Sequence, residues 1–108
     1  MPESGLEFHP DALEEALAGY AWYLERSLRA ADRFFAELER AVDLILDGPE
    51  RWPPHLYGTR RFILTRYPYS VVYKRSGAPL IIYAVAHAKR RPGYWNWKGR
   101  LAWNPPVA

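Results

Sequence analysis

Apolar positions recur at helical spacing through the first half of the chain and then switch to alternation. Leu13, Leu17, Tyr20 and Leu24 fall on one face of a 3.6-residue period. The pattern predicts a helix over about residues 10–26. His9-Pro10-Asp11 opens it, with Pro suited to the first turn and Asp11, Glu14 and Glu15 suited to the positive helix end. A second seam, Leu28, Ala31, Phe35, Leu38, Val42 and Ile45, predicts a longer helix. The link near Ser27 is short, so the two helices form an antiparallel hairpin. Gly48-Pro49 stops the second one.

Residues 48–58 hold Gly48, Pro49, Pro53, Pro54 and Gly58 and read as a loop. Beyond it the pattern is that of strands. Phe62 and Leu64 alternate with Arg61, Ile63 and Thr65, and Tyr69–Arg75 is rich in β-branched and aromatic residues. Ser76-Gly77-Ala78 signals a hairpin turn. The run from Pro79 to His87 is the most apolar and is expected to be the best-buried strand. A short strand at Leu6–Phe8 adds an edge. The order β-α-α-β-β-β predicts an α+β domain, with the helical hairpin on a small, mainly antiparallel sheet. The 108 residues suffice for one core, so residues 1–108 are read as one domain with an aromatic-rich tail at 96–108.

Charge changes this picture. Residues 1–50 carry all 12 acidic residues and four basic ones, a net of −8, whereas residues 51–108 carry 11 basic residues and no acid. Such asymmetry predicts an anionic partner for the second half, a polyanion or an acidic protein. The chain has no cysteine, which excludes disulfides, thiolate metal sites and thiol catalysis. Three scattered histidines make no metal site, and no cofactor is expected. The polar start, Met1–Gly5, lacks a signal peptide's features, and no apolar run is long enough for a bilayer. A cytoplasmic protein is expected.

The candidate chemistry lies in and after the strands. Lys89, Arg90 and Arg91 follow the last strand and suit phosphates, while Tyr94 and Trp95 suit stacking on unpaired bases or capping of the sheet. Arg60 and Arg66 can share one strand face and extend a basic groove beside that cluster. His87 is either a general acid or base or a satisfied, partly buried residue. The helix carboxylates are expected to face solvent, which disfavours two-metal hydrolysis. RNA cleavage here would be metal-independent, with Arg and Lys stabilising the phosphorane. Trp97, Leu101 and Trp103 form a second aromatic group, for an interface or for the chain's own sheet.

The ordered set Phe8-His9-Pro10-Asp11-Ala12, Phe34-Phe35-Ala36-Glu37-Leu38, Arg60-Arg61-Phe62, Tyr67–Tyr73, Ala84-Val85-Ala86-His87 and Arg90–Trp95 resembles the RelE/ParE superfamily of type II toxin–antitoxin toxins, the plasmid stabilisation proteins. The resemblance implies a growth-arresting toxin neutralised by a cognate acidic antitoxin, alone, as a homodimer or in a heterotetramer with it. It also implies an activity, with metal-independent, ribosome-dependent mRNA cleavage as the first reading and non-enzymatic inhibition of DNA gyrase as the alternative. A degenerate interaction module is the third reading. Carried onto this chain, the endoribonuclease reading takes Arg61, Arg66, His87, Arg90, Arg91 and Tyr94 as cleavage residues and Arg60, Lys89 and Trp95 as RNA-binding or target-binding residues. Where some nucleases of the family carry a lysine cluster, this sequence offers Arg51, His55, Arg60 and Arg61.

Overall fold

The structure is a computed structural model that describes residues 5–75, 77 and 79–106. It comprises β1 (Leu6–Phe8), α1 (Pro10–Leu24), α2 (Leu28–Asp47), β2 (Arg60–Ile63), β3 (Tyr69–Arg75) and β4 (Leu80–His87). The expected α+β order is therefore present. The strands lie in the order β1-β4-β3-β2, with β1 parallel to β4 and the other pairs antiparallel. The hairpin turn expected at 76–78 is flanked by the Arg75–Leu80 pair, but Ser76 and Ala78 lie outside the described residues, as do Met1–Ser4.

Local chemistry explains the helix ends. The His9 side chain caps α1 by accepting the Asp11 N–H at 2.9 Å, and Pro10 occupies the first turn, where a missing N–H costs nothing. Ser27 caps α2 by accepting the Ala30 N–H. Gly48 ends α2 and Pro49 begins a short 3-10 turn.

Packing revises the expected helix faces. α1 buries Ala12, Ala16 and Gly19 against its neighbours, while Leu13, Leu17 and Leu24 are exposed. α2 buries Phe34 and Ala41 with Ala31, Leu38, Val42 and Ile45, and it exposes Leu28 and Phe35. The small side chains of α1 allow a close helix crossing. A Cβ on Gly19 would stand 3.0 Å from the Phe34 ring and the Tyr69 hydroxyl. Hydrophobic periodicity located both helices, but the large residues of α1 face outward because the small ones fit the contact.

The main core joins this hairpin to one face of the sheet through Phe34, Ile45, Val71, Tyr73, Ile82 and Val85. The opposite face is covered by the tail. Two 3-10 turns within Tyr94–Ala102, joined by an irregular Trp97–Gly99 link, place Tyr94 and Trp95 over Val72, Ala84 and Ala86, with Leu101 packed alongside. β4 is accordingly buried along nearly its whole length, as its composition predicts. Tyr83 is skipped in the β3–β4 pairing, where Tyr73 meets Ile82 and Val72 meets Ala84. This is a bulge, and it falls just past the point where β1 leaves β4 at Ile82.

Candidate functional site: a basic cavity at the strand ends

Two features stand out on this scaffold. The first is a cavity of about 90 Å³ on the tail-covered side of the sheet, at the ends of the strands. The paired positions Arg61 and Val72 set one wall, since β2 and β3 are in register there. The end of β4 supplies His87, the turn after it supplies Arg90 and Arg91, and His55 and Ser70 complete the polar lining. Three arginines and two histidines face this space, and no carboxylate lines it.

The turn is held by its own backbone. Arg90 N–H donates to His87 O at 3.0 Å and Tyr94 N–H donates to Arg91 O at 3.1 Å. Gly93 adopts φ 82°, a left-handed conformation, and a Cβ there would meet the Tyr57 ring at 2.9 Å. The Arg90 guanidinium lies 3.7 Å from the Tyr94 ring centroid, a cation–π contact that fixes its plane. His87 accepts the Lys89 N–H at its Nδ1, 3.0 Å away, and its ring meets Tyr69 edge-on. Burial, with the Arg61 charge in support, holds the His55 imidazole below its ordinary pKa.

Several expected site residues do not join this cluster. β2 ends at Ile63, so Arg66 lies beyond it, beside α2, where its backbone N–H donates to Glu37. Thr65 N–H donates to the same carboxylate oxygen. Arg60 points to the helix side and donates to the Trp52 carbonyl at 2.6 Å. The row of Arg60 and Arg66 beside Lys89–Arg91 is therefore not formed, because the strand is too short and Arg60 has a structural partner. Lys89 is exposed in the turn and is not part of the cavity wall.

Of the two roles open to Tyr94 and Trp95, base stacking or capping of the sheet, the structure shows capping. Trp95 is buried against His55, with ring centroids 5.1 Å apart. Tyr94 is buried and its hydroxyl donates to Glu15 Oε2 at 2.9 Å. Burial, then the Glu15 charge and hydrogen bond, raise the Tyr94 pKa far above that of a free phenol. The tail's second aromatic group divides. Trp103 packs on His9 and its carbonyl accepts the Tyr83 hydroxyl, whereas Trp97 stays 68% exposed.

The helix carboxylates are not all turned to solvent. Glu15 reaches the open edge of β4, where it accepts Val85 N–H and pairs with Arg100, and Asp11 lies 3.6 Å from the same guanidinium. Arg61, Arg66, Arg90 and Arg91 take part in no ion pair among the described residues. The positive surface at the strand ends is thus not neutralised from within.

The second feature is a groove of about 710 Å³ across the helical hairpin. Leu13, Leu17, Tyr20 and Phe35 line it, and Asp32, Glu39 and Asp43 stand among its lining residues. Leu13, Leu17 and Phe35 are seam residues left exposed by the core, and Tyr20 is partly buried against it. No helix among the described residues is long and apolar enough to cross a membrane.

A helical hairpin on a four-stranded sheet, with basic residues gathered where the strands end, is the architecture expected of a toxin of the RelE/ParE superfamily. Residues 6–92 match the family described as ParE toxin of type II toxin-antitoxin system, parDE, and the chain belongs to that family. The fold is also similar to a chain of the chromosomal ParDE toxin–antitoxin system from P. aeruginosa, with a TM-score of 0.70 at 17% sequence identity, covering 80% of this chain and 97% of that one. No curated protein matches the sequence.

Proposed function

We propose that this ParE-family toxin arrests growth by binding its target rather than by cutting RNA, and that the target is DNA gyrase. One observation carries this reading. The sheet face that would receive RNA is filled by Tyr94, Trp95 and Leu101 of the chain's own tail. Tyr94, one of the six residues taken as cleavage candidates, has its hydroxyl committed to Glu15, and burial with that carboxylate raises its pKa. A supercoiling assay with the purified chain tests the reading. Inhibition at stoichiometric toxin is expected, and full gyrase activity in large toxin excess overturns it.

Ribosome-dependent cleavage is the second reading, favoured by the carboxylate-free cavity of Arg61, His87, Arg90 and Arg91. Primer extension on translated mRNA after induction separates the two. Cuts at the ribosomal A site support cleavage, and intact transcripts with arrested growth support target binding.

The antitoxin of this system binds, in this proposal, along the groove of α1 and α2. Leu17 is 57% exposed and Phe35 48% exposed, and an amphipathic helix laid between them buries both. Asp32, Glu39 and Asp43 favour basic residues beside that helix's apolar stripe. An acidic segment, as the charge asymmetry suggests, suits the strand-end cavity instead.

A further inference from the structure

We propose that the groove between α2 and β2 is a docking surface for an acidic segment of a protein partner, separate from the strand-end cavity and from the groove toward α1. The proposal does not depend on the gyrase reading, since it concerns a different face of the molecule.

The sequence of α2 sorts its charges. Residues 1–50 carry four basic side chains, and three of them, Arg29, Arg33 and Arg40, fall on one stripe of α2. Asp32, Glu39 and Asp43 line the groove toward α1. Like charges one turn apart, as at Arg29 and Arg33, destabilise a helix, and neither residue takes part in an ion pair among the described residues. Arg66 joins the stripe from the turn after β2. Arg33, Arg40 and Arg66 are exposed and rim a groove of about 560 Å³, with half-buried Leu44 and Phe62 as an apolar floor. Glu37 is the one carboxylate among the lining residues, and it is turned to the backbone. Its Oε2 accepts the N–H groups of Thr65 and Arg66, which fixes the turn that carries Arg66 beside α2. Three unpaired cations face one carboxylate, so the groove keeps a net positive charge.

A run of chain with carboxylates set apart by apolar residues matches these features. Arg33 and Arg40 are two helical turns apart, about 10.5 Å, close to the span of three residues of extended chain. Carboxylates at that spacing meet both guanidiniums, while the apolar side chains between them pass over Glu37 and cover Phe62. A nucleic-acid strand fits less well. It brings a charge with every nucleotide and cannot avoid Glu37. The Phe62 ring is packed against Trp52, with centroids 4.6 Å apart, and offers no free face on which a base could stack.

Titration of the full-length chain with a short peptide, two glutamates three positions apart with leucines between them, tests this. The NMR signals of the Ala36 and Ala41 methyls and of the Phe62 ring report on the groove. Saturable shifts there are expected, and the same peptide with glutamines in place of glutamates should leave them unmoved. Arg33→Glu combined with Arg40→Glu should weaken binding at least about ten-fold, and the milder pair Arg33→Gln and Arg40→Gln should weaken it in the same direction. Lys74→Glu combined with Arg75→Glu changes the net charge as much from β3 and should leave binding within about two-fold. Shifts that stay linear, or that are confined to Val72 and Ala86 beside the strand-end cavity, overturn the proposal. So does equal binding of the two peptides, or equal binding by arginine variants that remain folded by circular dichroism. Oligothymidine saturating the groove signals while the glutamate peptide does not would also overturn it and assign the groove to nucleic acid.

Discussion

Glu15 Oε2 accepts a hydrogen bond from Arg100 Nη1 at 3.1 Å, although the two residues are 85 positions apart. Together they close the edge of β4 beyond β1. Glu15 takes the Val85 N–H and Arg100 gives to the Tyr83 carbonyl, so two side chains do the work of a missing strand. An open strand edge is a template for unwanted pairing, and this pair covers it.

That arrangement predicts a large cost for Glu15→Gln. The Arg100 side chain is 11% exposed and that of Glu15 16%, so removing the Glu15 charge leaves the buried guanidinium only the longer pairing with the more exposed Asp11, 3.6 Å away. A loss of about 3 kcal/mol is expected in urea unfolding. Glu14→Gln, on the exposed side of α1, should change stability by less than about 0.5 kcal/mol. Equal effects from the two variants would refute the role given to Glu15.

Leu17→Glu should separate stability from antitoxin binding. The residue is exposed in the groove and contributes no buried core surface, so the unfolding midpoint should hardly move. Binding of the antitoxin should weaken by at least about 2 kcal/mol, the scale of a central interface anchor. Calorimetry with the purified antitoxin decides, and unchanged affinity would move the interface off the helices.

Gly19→Ala tests the closeness of the helix crossing. Alanine favours a helix by about 1 kcal/mol over glycine. Here its Cβ would stand 3.0 Å from the ring of Phe34, which is fully buried, and from the Tyr69 hydroxyl. A net destabilisation of about 1 kcal/mol is expected, since overpacking costs about 1–3 kcal/mol. A stabilised variant would show that the core yields at this point.

Acid should weaken the fold through two histidines. His9 is held below its ordinary pKa chiefly by burial, with Arg100 adding to the shift and Asp11 and Glu15 opposing it. His55 is lowered by burial and by Arg61. A depressed pKa means that the unfolded chain binds the proton more readily. Both contributions are intact above about pH 6.5 and are lost as pH falls through the folded-state values. Melting temperatures between pH 7.5 and 5 should fall, and His55→Gln should flatten the decline. A profile unaffected by that substitution would show that His55 titrates without strain.

Much of this was legible in the sequence, and the exceptions share a cause. Element order, the Ser27 link, the Gly48-Pro49 stop and the buried β4 follow from local patterns, because period and turn chemistry act over a few residues. The choice of buried face did not follow from residue size. Leu13 and Leu17 outweigh Ala12 and Ala16 on any hydrophobicity scale, yet the smaller pair fits the crossing. Arg61, His87, Arg90 and Arg91 line one cavity, whereas the groove read from the sequence had Arg60 and Arg66 beside Lys89–Arg91. Arg66 lies apart from them, its backbone N–H on Glu37, and Tyr94 keeps its ring at the cavity while its hydroxyl turns to Glu15, a helix residue far away in sequence. No local signal marks such a partner. The absence of acids from residues 51–108 was the nearest hint, since any carboxylate that meets this half must come from a helix.

Leu6 pairs with Leu80, and the first helix is tied to Arg100. The chain therefore cannot close its architecture while it is being made. Contacts of such long range in sequence slow the closing of the fold. The closed edge of β4 thus depends on residues from both halves of the chain, and neither half can complete it alone.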